Sequence, residues 1–265
     1  MDLMRARVAL RERPLLDVLD LAVRFCAAHA RDYAKVSLAV LVPGFAASWL
    51  AARLSGWAVG WGAAFVLASF AGAPFVALAS KLVFHDRVSL REVLAISLRA
   101  LPRLAGARFV QAMALGGSLL MLGLPWLWVG TILLFVVEVI VLEQSGVGAA
   151  LGRANRIANA HFGAAIAAML LLMLAPAGAA LLADYAGREV LATVLEVRPP
   201  PSVFEVGGSW LALAGWWCAL PLLSTARFFV YLDVRTRTEG WDIQTRFGAI
   251  AARAASEPRR DRQAA

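Results

Sequence analysis

The stretch FVQAMALGGSLLMLGLPWLWVGTILLFVVEVIVL, residues 109–142, decides how often this chain crosses a membrane. As one helix it would be about 50 Å long at a rise of about 1.5 Å per residue, whereas the hydrocarbon core of a bilayer is about 30 Å thick. Proline is well suited to the first turn of a helix. We therefore predict a break at Leu124-Pro125 and two membrane spans, 109–124 and 125–142.

The composition indicates a membrane protein with helical spans. Hydrophobic residues make up 61 % of the 265 residues and charged residues 17 %, and the mean hydropathy is +0.70. An average soluble domain is about 45–50 % apolar and about 25 % charged. Helices are expected because lipid offers backbone groups no hydrogen-bond partner, and the alternation of barrel strands is absent. Four further spans are predicted, at 36–52, 57–80, 162–183 and 207–232.

The distribution of charge and tryptophan favours six spans with both termini in the cytoplasm. Six spans that start inside place 23 of the 26 Lys and Arg residues in cytoplasmic segments, as expected in a bacterial inner membrane. Six of the nine tryptophans fall at the predicted outer ends, where an aromatic belt is expected. The net charge of +8 is then explained by topology and by contact with anionic inner-leaflet lipids. Nucleic acid is not an expected partner, because no binding motif accompanies the charge.

The predicted protein is all-α, with four parts along the chain. Residues 1–35 form a cytoplasmic N-terminal segment with an amphipathic interfacial helix and no cleavable signal. They are followed by a six-helix transmembrane domain at 36–232, a charged amphipathic cytoplasmic tail at 233–256 and a disordered basic C-terminus at 257–265. A second amphipathic helix is predicted at 89–104, because leucines and arginines lie on opposite helical faces there.

A short internal similarity indicates repeated units. RLAGARF at 103–109 and RIANAHF at 156–162 share Arg, Ala, Ala and Phe, and each directly precedes a predicted outward span. Three units, each an amphipathic cytoplasmic helix followed by a transmembrane hairpin, would be related as in parallel transporter repeats. A chance match between alanine-rich segments is the alternative.

Glu138 is the strongest candidate for a functional residue. A carboxylate within an apolar span costs roughly 2.5–3.5 kcal/mol on insertion scales and usually faces a partner inside the bundle. Arg227, in the inner half of the last span, is predicted at a matching depth. This intramembrane pair is interpreted either as a contact that fixes helix packing or as part of a proton, ion or substrate path.

No motif predicts catalysis, a cofactor or a metal site. The chain lacks the nucleophile elbow, the Walker glycine loop and the HExxH spacing. The three histidines, His29, His85 and His161, are interpreted as interfacial anchors. Cys26 and Cys218 are predicted at different depths and therefore do not pair. We expect a protein that is not an enzyme.

The exit of the last span carries the most distinctive string, RFFVYLDVRTRTEGWD at 227–242. On a continuing helix, Asp233 reaches Arg237, and Arg235 reaches Glu239, at i to i+4. The string is interpreted either as stop-transfer charge with helix support or as a surface that docks a partner protein. This docking tail comprises Tyr231, Asp233, Arg235, Arg237, Glu239, Trp241 and Asp242.

Together with Pro221 and the segment from Glu143 to Arg156, the docking tail resembles that of a group of six-span bacterial membrane proteins. Many of them carry the name of the glycerophosphoryl diester phosphodiesterase membrane domain family. The resemblance covers the chain from about Glu143 to Phe247, although Leu232 stands where the family usually has an aromatic residue. Relatives with the enzymatic name have a soluble phosphodiesterase domain that this sequence lacks, so the resemblance implies no catalytic activity.

These features lead to two functional hypotheses. The first is a scaffold or accessory subunit of an envelope-associated assembly, because much patterned sequence faces the cytoplasm and little lies outside. Its partners would be anionic lipids and cytoplasmic or membrane proteins. The alternative is a small permease or lipid-handling transporter whose path is lined by Glu138 and Arg227.

Overall fold

The computed structural model describes residues 14–83, 85, 88–120 and 124–239. The described chain is helical, with 88 % helix and no strand, as predicted. Most of the predicted tail and the predicted disordered terminus, 257–265, lie outside the described residues. The helices are α1 (Leu15–Ala28), α2 (Ala30–Ser55), α3 (Trp57–Leu82), α4 (Leu90–Leu120), α5 (Leu124–Ile132), α6 (Val136–Glu143), α7 (Val147–Ala160), α8 (Phe162–Thr193), α9 (Val203–Val206) and α10 (Trp210–Glu239).

Five helical segments are long and apolar enough to cross a bilayer, which supports a multi-pass membrane protein. They are Ala30–Ser55, Trp57–Leu82, Pro125–Glu143, Phe162–Thr193 and Trp210–Arg237. The sixth predicted span, 109–124, is not confirmed. Its residues 109–120 form the second half of α4, and 121–123 lie outside the described residues. Arg108 and Gln111 lower the hydropathy of this part of α4.

The largest departure from the predicted boundaries is that α4 is one continuous helix. The predicted interfacial helix, 89–104, and the first residues of the predicted span, 109–124, follow each other without a break. Pro102 and Gly106 lie inside this helix, where the sequence favoured a junction. The break between α5 and α6 is a tighter turn. The N–H groups of Leu134 and Val136 donate to carbonyl groups only three positions earlier, as in a 3₁₀ helix.

Two of the three predicted repeat units share a local geometry, and the third differs. Helices α1 and α7 each have 14 residues and each ends at a histidine, His29 or His161, that directly precedes a long apolar helix. The RLAGARF segment instead lies within α4 without any interruption. The similarity of the sequence strings therefore does not extend to the helix break.

Helix α10 is the centre of the bundle and packs against α1, α2, α3, α7 and α8. The chain segment from Ala226 to Leu232 is almost wholly buried apart from Arg227. Its aromatic side chains meet those of other helices, with Phe229 in edge contact with Phe25 and Tyr231 tilted against Phe135. The C-terminal half of α10 thus forms the packing centre for the helices around it.

Small residues bring the long helices into close contact. A Cβ atom placed on Gly215 of α10 would overlap the backbone carbonyl of Ala179 in α8, and one on Gly60 of α3 would overlap the side chain of Ala52 in α2. Such contacts are typical of membrane bundles, where association depends on tight packing because lipid is as apolar as the helix surface.

The connection between α2 and α3 is a single residue, Gly56. Its φ of 90° lies in a region that other residues adopt only with strain. Helices α2 and α3 are in extensive contact with each other.

At the same end of the bundle as Gly56, where Trp61 Nε1 donates to the carbonyl of Gly207, Asp184 of α8 holds the segment that leads into α10. Asp184 is buried and accepts hydrogen bonds from Ser202 Oγ at 3.3 Å, from the Val203 N–H at 3.1 Å and from Ser209 Oγ. Ser209 Oγ in turn accepts from the Ala212 N–H at the start of α10. One carboxylate therefore fixes both α9 and the N-terminus of α10.

Candidate functional site

The structure brings the predicted intramembrane pair into contact. Arg227 Nε of α10 lies 2.5 Å from Glu138 Oε1 of α6. The Glu138 side chain is 0 % exposed and that of Arg227 is 19 % exposed. Glu138 occupies the first turn of α6, directly after the break that separates α5 from α6. The contact joins the two residues that the sequence singled out, and their depth in a membrane stays a prediction.

A second arginine, Arg108 of α4, lies near this pair. Its Nε and Nη2 donate to the carbonyl of Ser69 in α3 at 3.3 and 3.1 Å, and its Nη1 donates to Gln111 Oε1 at 2.5 Å. Arg108 interacts electrostatically with both Glu138 and Arg227. We call Arg108, Glu138 and Arg227 the polar centre. With its carboxylate ionised, the polar centre carries one excess positive charge.

The polar centre is closely packed on the side of α3. A Cβ atom on Gly72 would lie 3.6 Å from Arg227 Nη2 and 3.0 Å from Ser224 Oγ. Glycine at this position therefore leaves space mainly for the Ser224 hydroxyl, one helical turn before Arg227. Four helices, α3, α4, α6 and α10, contribute to the site.

One oxygen of the polar centre has no hydrogen bond. Glu138 Oε2 is buried and finds no donor among the described residues. Most buried polar atoms in proteins are hydrogen-bonded, so an exception calls for an explanation. Glu138 Oε2 is therefore a buried acceptor without a protein donor, next to the oxygen that contacts Arg227.

A second acidic residue, Glu143 at the end of α6, has a complete set of partners. Its carboxylate meets Arg153 Nε at 3.0 Å and Arg235 Nη1 at 3.2 Å, and it accepts from Tyr231 Oη at 2.9 Å. Arg235 also donates to Tyr231 Oη at 2.9 Å. This Glu143 cluster joins α6, α7 and α10.

The Glu143 cluster uses two residues of the predicted docking tail. Tyr231 is 0 % exposed, and Arg235 turns inward to Glu143. The predicted contact between Asp233 and Arg237 is present at 2.8 Å. The side chain of Glu239 and the residues Trp241 and Asp242 lie outside the described part of the chain, so the predicted contact between Arg235 and Glu239 stays a prediction.

Other polar groups act between or within helices. Tyr33 of α2 and Thr225 of α10 are hydrogen-bonded through their hydroxyl groups at 2.7 Å, which links two helices. Cys26 lies beside both residues, and burial raises the pKa of its thiol. Ser118 bonds to the carbonyl of Leu115 in its own helix.

The histidines and cysteines do not converge in the described ranges. His29 bonds through Nδ1 to the carbonyl of Phe25 at 3.0 Å, and His85 bonds likewise to that of Lys81 at 3.3 Å. Among residues 14–83, 85, 88–120 and 124–239, no group of three or more His, Cys, Asp or Glu side chains could hold a metal ion. Cys26 and Cys218 are both free.

Two features of the site were not predicted from the sequence. Arg108 was counted among the cytoplasmic charges because it precedes the predicted span, yet it contacts α3 and lies near Glu138. The sequence offered one signal for the position of Arg108, namely Gln111 three residues later, because side chains at i and i+3 of a helix can meet. The partners of Glu143 lie far away in the chain, and no local pattern connects them.

Comparison with known proteins identifies no relative of this chain. No protein-family model, curated protein or solved structure matches it. The resemblance to the glycerophosphoryl diester phosphodiesterase membrane domain family therefore stays a prediction.

Proposed function

We propose that this protein is a non-enzymatic, six-span protein of a bacterial inner membrane that acts as a scaffold or accessory subunit of an envelope-associated assembly. Both termini lie in the cytoplasm in this proposal. The observation that carries it is the Glu143 cluster. The cluster joins the C-terminal part of α10 to α6 and α7. In this proposal it fixes where the docking tail leaves the bundle.

The polar residues at this end of α10 support the proposal because most of them bind one another and so hold the helix in place. Tyr231, Arg235 and Glu143 bind one another across three helices, and Asp233 and Arg237 bind each other along α10. Partly buried ion pairs with hydrogen bonds hold a defined geometry better than exposed pairs do. A partner would then meet a rigid platform, with Glu239, Trp241 and Asp242 as the remaining docking residues.

A truncation after Glu239 tests the docking role without disturbing the bundle. Deletion from Tyr231 onward would also remove part of the packed core and is therefore unsuitable. Cross-linking in intact cells followed by mass spectrometry of the purified chain should lose its specific partners in the truncated form. The double variant Trp241→Ala and Asp242→Ala should lose the same partners, and Arg156→Ala is the control on an exposed face. Unchanged cross-links in both docking variants refute the role.

Fusions to a reporter enzyme that is active only in the periplasm test the six-span topology. The proposal predicts activity after residue 123 and none after Ala265 or after Arg103. With five spans and the N-terminus inside, the C-terminus would be periplasmic, and the fusion after Ala265 would be active. Activity after Ala265 overturns the proposed placement of the tail and the docking role with it.

The second candidate function is a small permease or lipid-handling transporter, and the unbonded Glu138 Oε2 favours it. Ionisable residues inside a membrane bundle often mark proton, ion or substrate pathways, and Glu138 and Arg227 are such residues in this proposal. Reconstituted vesicles with an imposed pH gradient and an internal pH-sensitive dye provide the first measurement. Glu138→Gln should abolish a protein-dependent proton flux, whereas Glu143→Gln, with the same chemical change on the same helix, should leave it intact. Equal fluxes in the wild type, in Glu138→Gln and in protein-free vesicles rule out proton transport.

A further inference from the structure

A cavity of about 130 Å³ lies between α4 and α6, beside the Glu143 cluster. By the measure of roughly 10–15 Å³ for one water, it has space for on the order of ten water molecules. Its walls combine apolar and cationic side chains. The residues that line it include Ile96, Arg99, Arg103, Ile140, Val141 and Gln144.

The cavity is positively charged. Arg103 donates one hydrogen bond, from Nη1 to the carbonyl of Gln144 at 2.7 Å, which fixes its guanidinium group at the rim. Arg99 has no acidic partner in the part of the chain that the structure describes. The nearest carboxylates along these helices, Glu92 and Glu143, are already paired with Lys81 and with the arginines of the Glu143 cluster.

The position of the cavity corresponds to the edge of the hydrocarbon layer. Gln144 directly follows the candidate span Pro125–Glu143, and Ile140 and Val141 within that span form the apolar side of the cavity. Leu98 and Leu101, on the remaining faces of α4, are exposed. Basic pockets between membrane helices at this level bind the head groups of anionic lipids.

We propose that this cavity binds the phosphate-bearing head group of an anionic phospholipid through Arg99 and Arg103. The planar guanidinium group presents paired donors that match phosphate oxygens, and two such groups lie on one face of α4. Exposed Leu98 and Leu101 offer apolar surface to acyl chains beside the head group, which a soluble phosphate would not use. The site is independent of the scaffold and transport proposals, because neither requires it.

The test compares two charge-matched double variants of the full chain in detergent. Arg99→Gln with Arg103→Gln removes the proposed ligands, and Arg91→Gln with Arg156→Gln removes two exposed charges elsewhere. Native mass spectrometry with added phosphatidylglycerol should show a retained lipid in the wild type and at least a tenfold weaker affinity in the cavity variant, which corresponds to about 1.4 kcal/mol. The control variant should stay within about twofold of the wild type, which is small beside the tenfold effect.

Further measurements distinguish a lipid head group from free phosphate, and one of them uses only the wild type, so that it does not depend on the folding of a variant. Phosphatidylcholine, which has no net charge, should bind much more weakly than phosphatidylglycerol, and inorganic phosphate should compete poorly. A photoactivatable phosphatidylglycerol should label the wild type within 96–103 or 140–144, a result that needs no variant. Equal weakening in both double variants, effective competition by inorganic phosphate, or labelling only elsewhere each overturns the proposal.

Discussion

Two glutamates on the same helix, Glu138 and Glu143, have opposite environments. They lie about 8 Å apart along the axis of α6 by the helical rise. Glu143 meets Arg153, Arg235 and Tyr231 at the end of the helix, and its side chain is 20 % exposed. Glu138 is fully enclosed, yet it has one bonded oxygen and one free oxygen. The same residue type therefore has a full set of side-chain partners at the end of α6 and only one ion-pair partner within it.

The strongest test of this comparison is Arg227→Ala. Removal of one partner of a buried ion pair typically costs about 3–5 kcal/mol, because the other charge is left uncompensated. We expect a loss of this size in the free energy of unfolding, measured by denaturation of the purified protein in detergent.

The double variant Arg227→Ala with Glu138→Gln is the matched control for that prediction. It removes the stranded carboxylate and should recover part of the lost stability, because Arg108 then lacks its attraction to Glu138. If the double variant is as unstable as Arg227→Ala, the loss arises from packing of the arginine and not from the ion pair.

Glu143→Gln should have a smaller effect on stability. The cluster is partly exposed, and loss of its charge removes bonds of about 1.5–3 kcal/mol each in the most favourable case. We expect about 1–2 kcal/mol after partial compensation by water and by the amide. Hydrogen exchange should increase in the C-terminal part of α10 and in α7. Unchanged exchange there would mean that the cluster does not hold these helices together.

A third carboxylate, Asp184, extends the comparison to the far end of the bundle. Because it accepts several hydrogen bonds that also cap α9 and α10, Asp184→Asn should cost about 1 kcal/mol, as the loss of a helix cap does. Denaturation of the purified protein measures this cost. Glu189→Gln, an exposed change one helical turn further along α8, should be neutral. Equal stabilities of the two variants would show that the cap contributes nothing.

The smallest effect is expected at Glu92, which pairs with Lys81 at 2.7 Å. The hydrogen bond from Lys81 holds the pKa of the Glu92 carboxyl below its ordinary value. The contribution of this ion pair to stability is therefore present above the pKa that Glu92 has in the unfolded chain. It is lost as the pH falls through the lower pKa that Glu92 has in the folded protein. For an exposed pair it should be below about 1 kcal/mol. Glu92→Gln should remove this part of the pH dependence of stability; an unchanged pH profile contradicts the assignment.

The sequence predicted the pair Glu138 and Arg227 because depth within an apolar segment can be counted along the chain. It missed Arg108 because the same counting assigned that residue to a cytoplasmic segment. The continuity of α4 was missed for a related reason. Pro102, Gly106 and the nearby arginines indicate a junction locally, but contacts with α3, α6 and α7 hold this region in one helix.

The Glu143 cluster and the Asp184 cap were beyond prediction from one sequence. Their partners come from separate helices, and helical periodicity carries no information on which helices are neighbours. The docking tail illustrates the difference, because its spacing correctly indicated the contact between Asp233 and Arg237. It gave no sign that Tyr231 and Arg235 turn towards the interior.

The single-residue connection at Gly56 has a consequence for biogenesis. Because a single residue joins α2 and α3, we expect the two helices to enter the lipid as one unit, from Ala30 to Leu82. A side chain at this corner would therefore burden the nascent chain before the rest of the bundle exists to compensate for the strain.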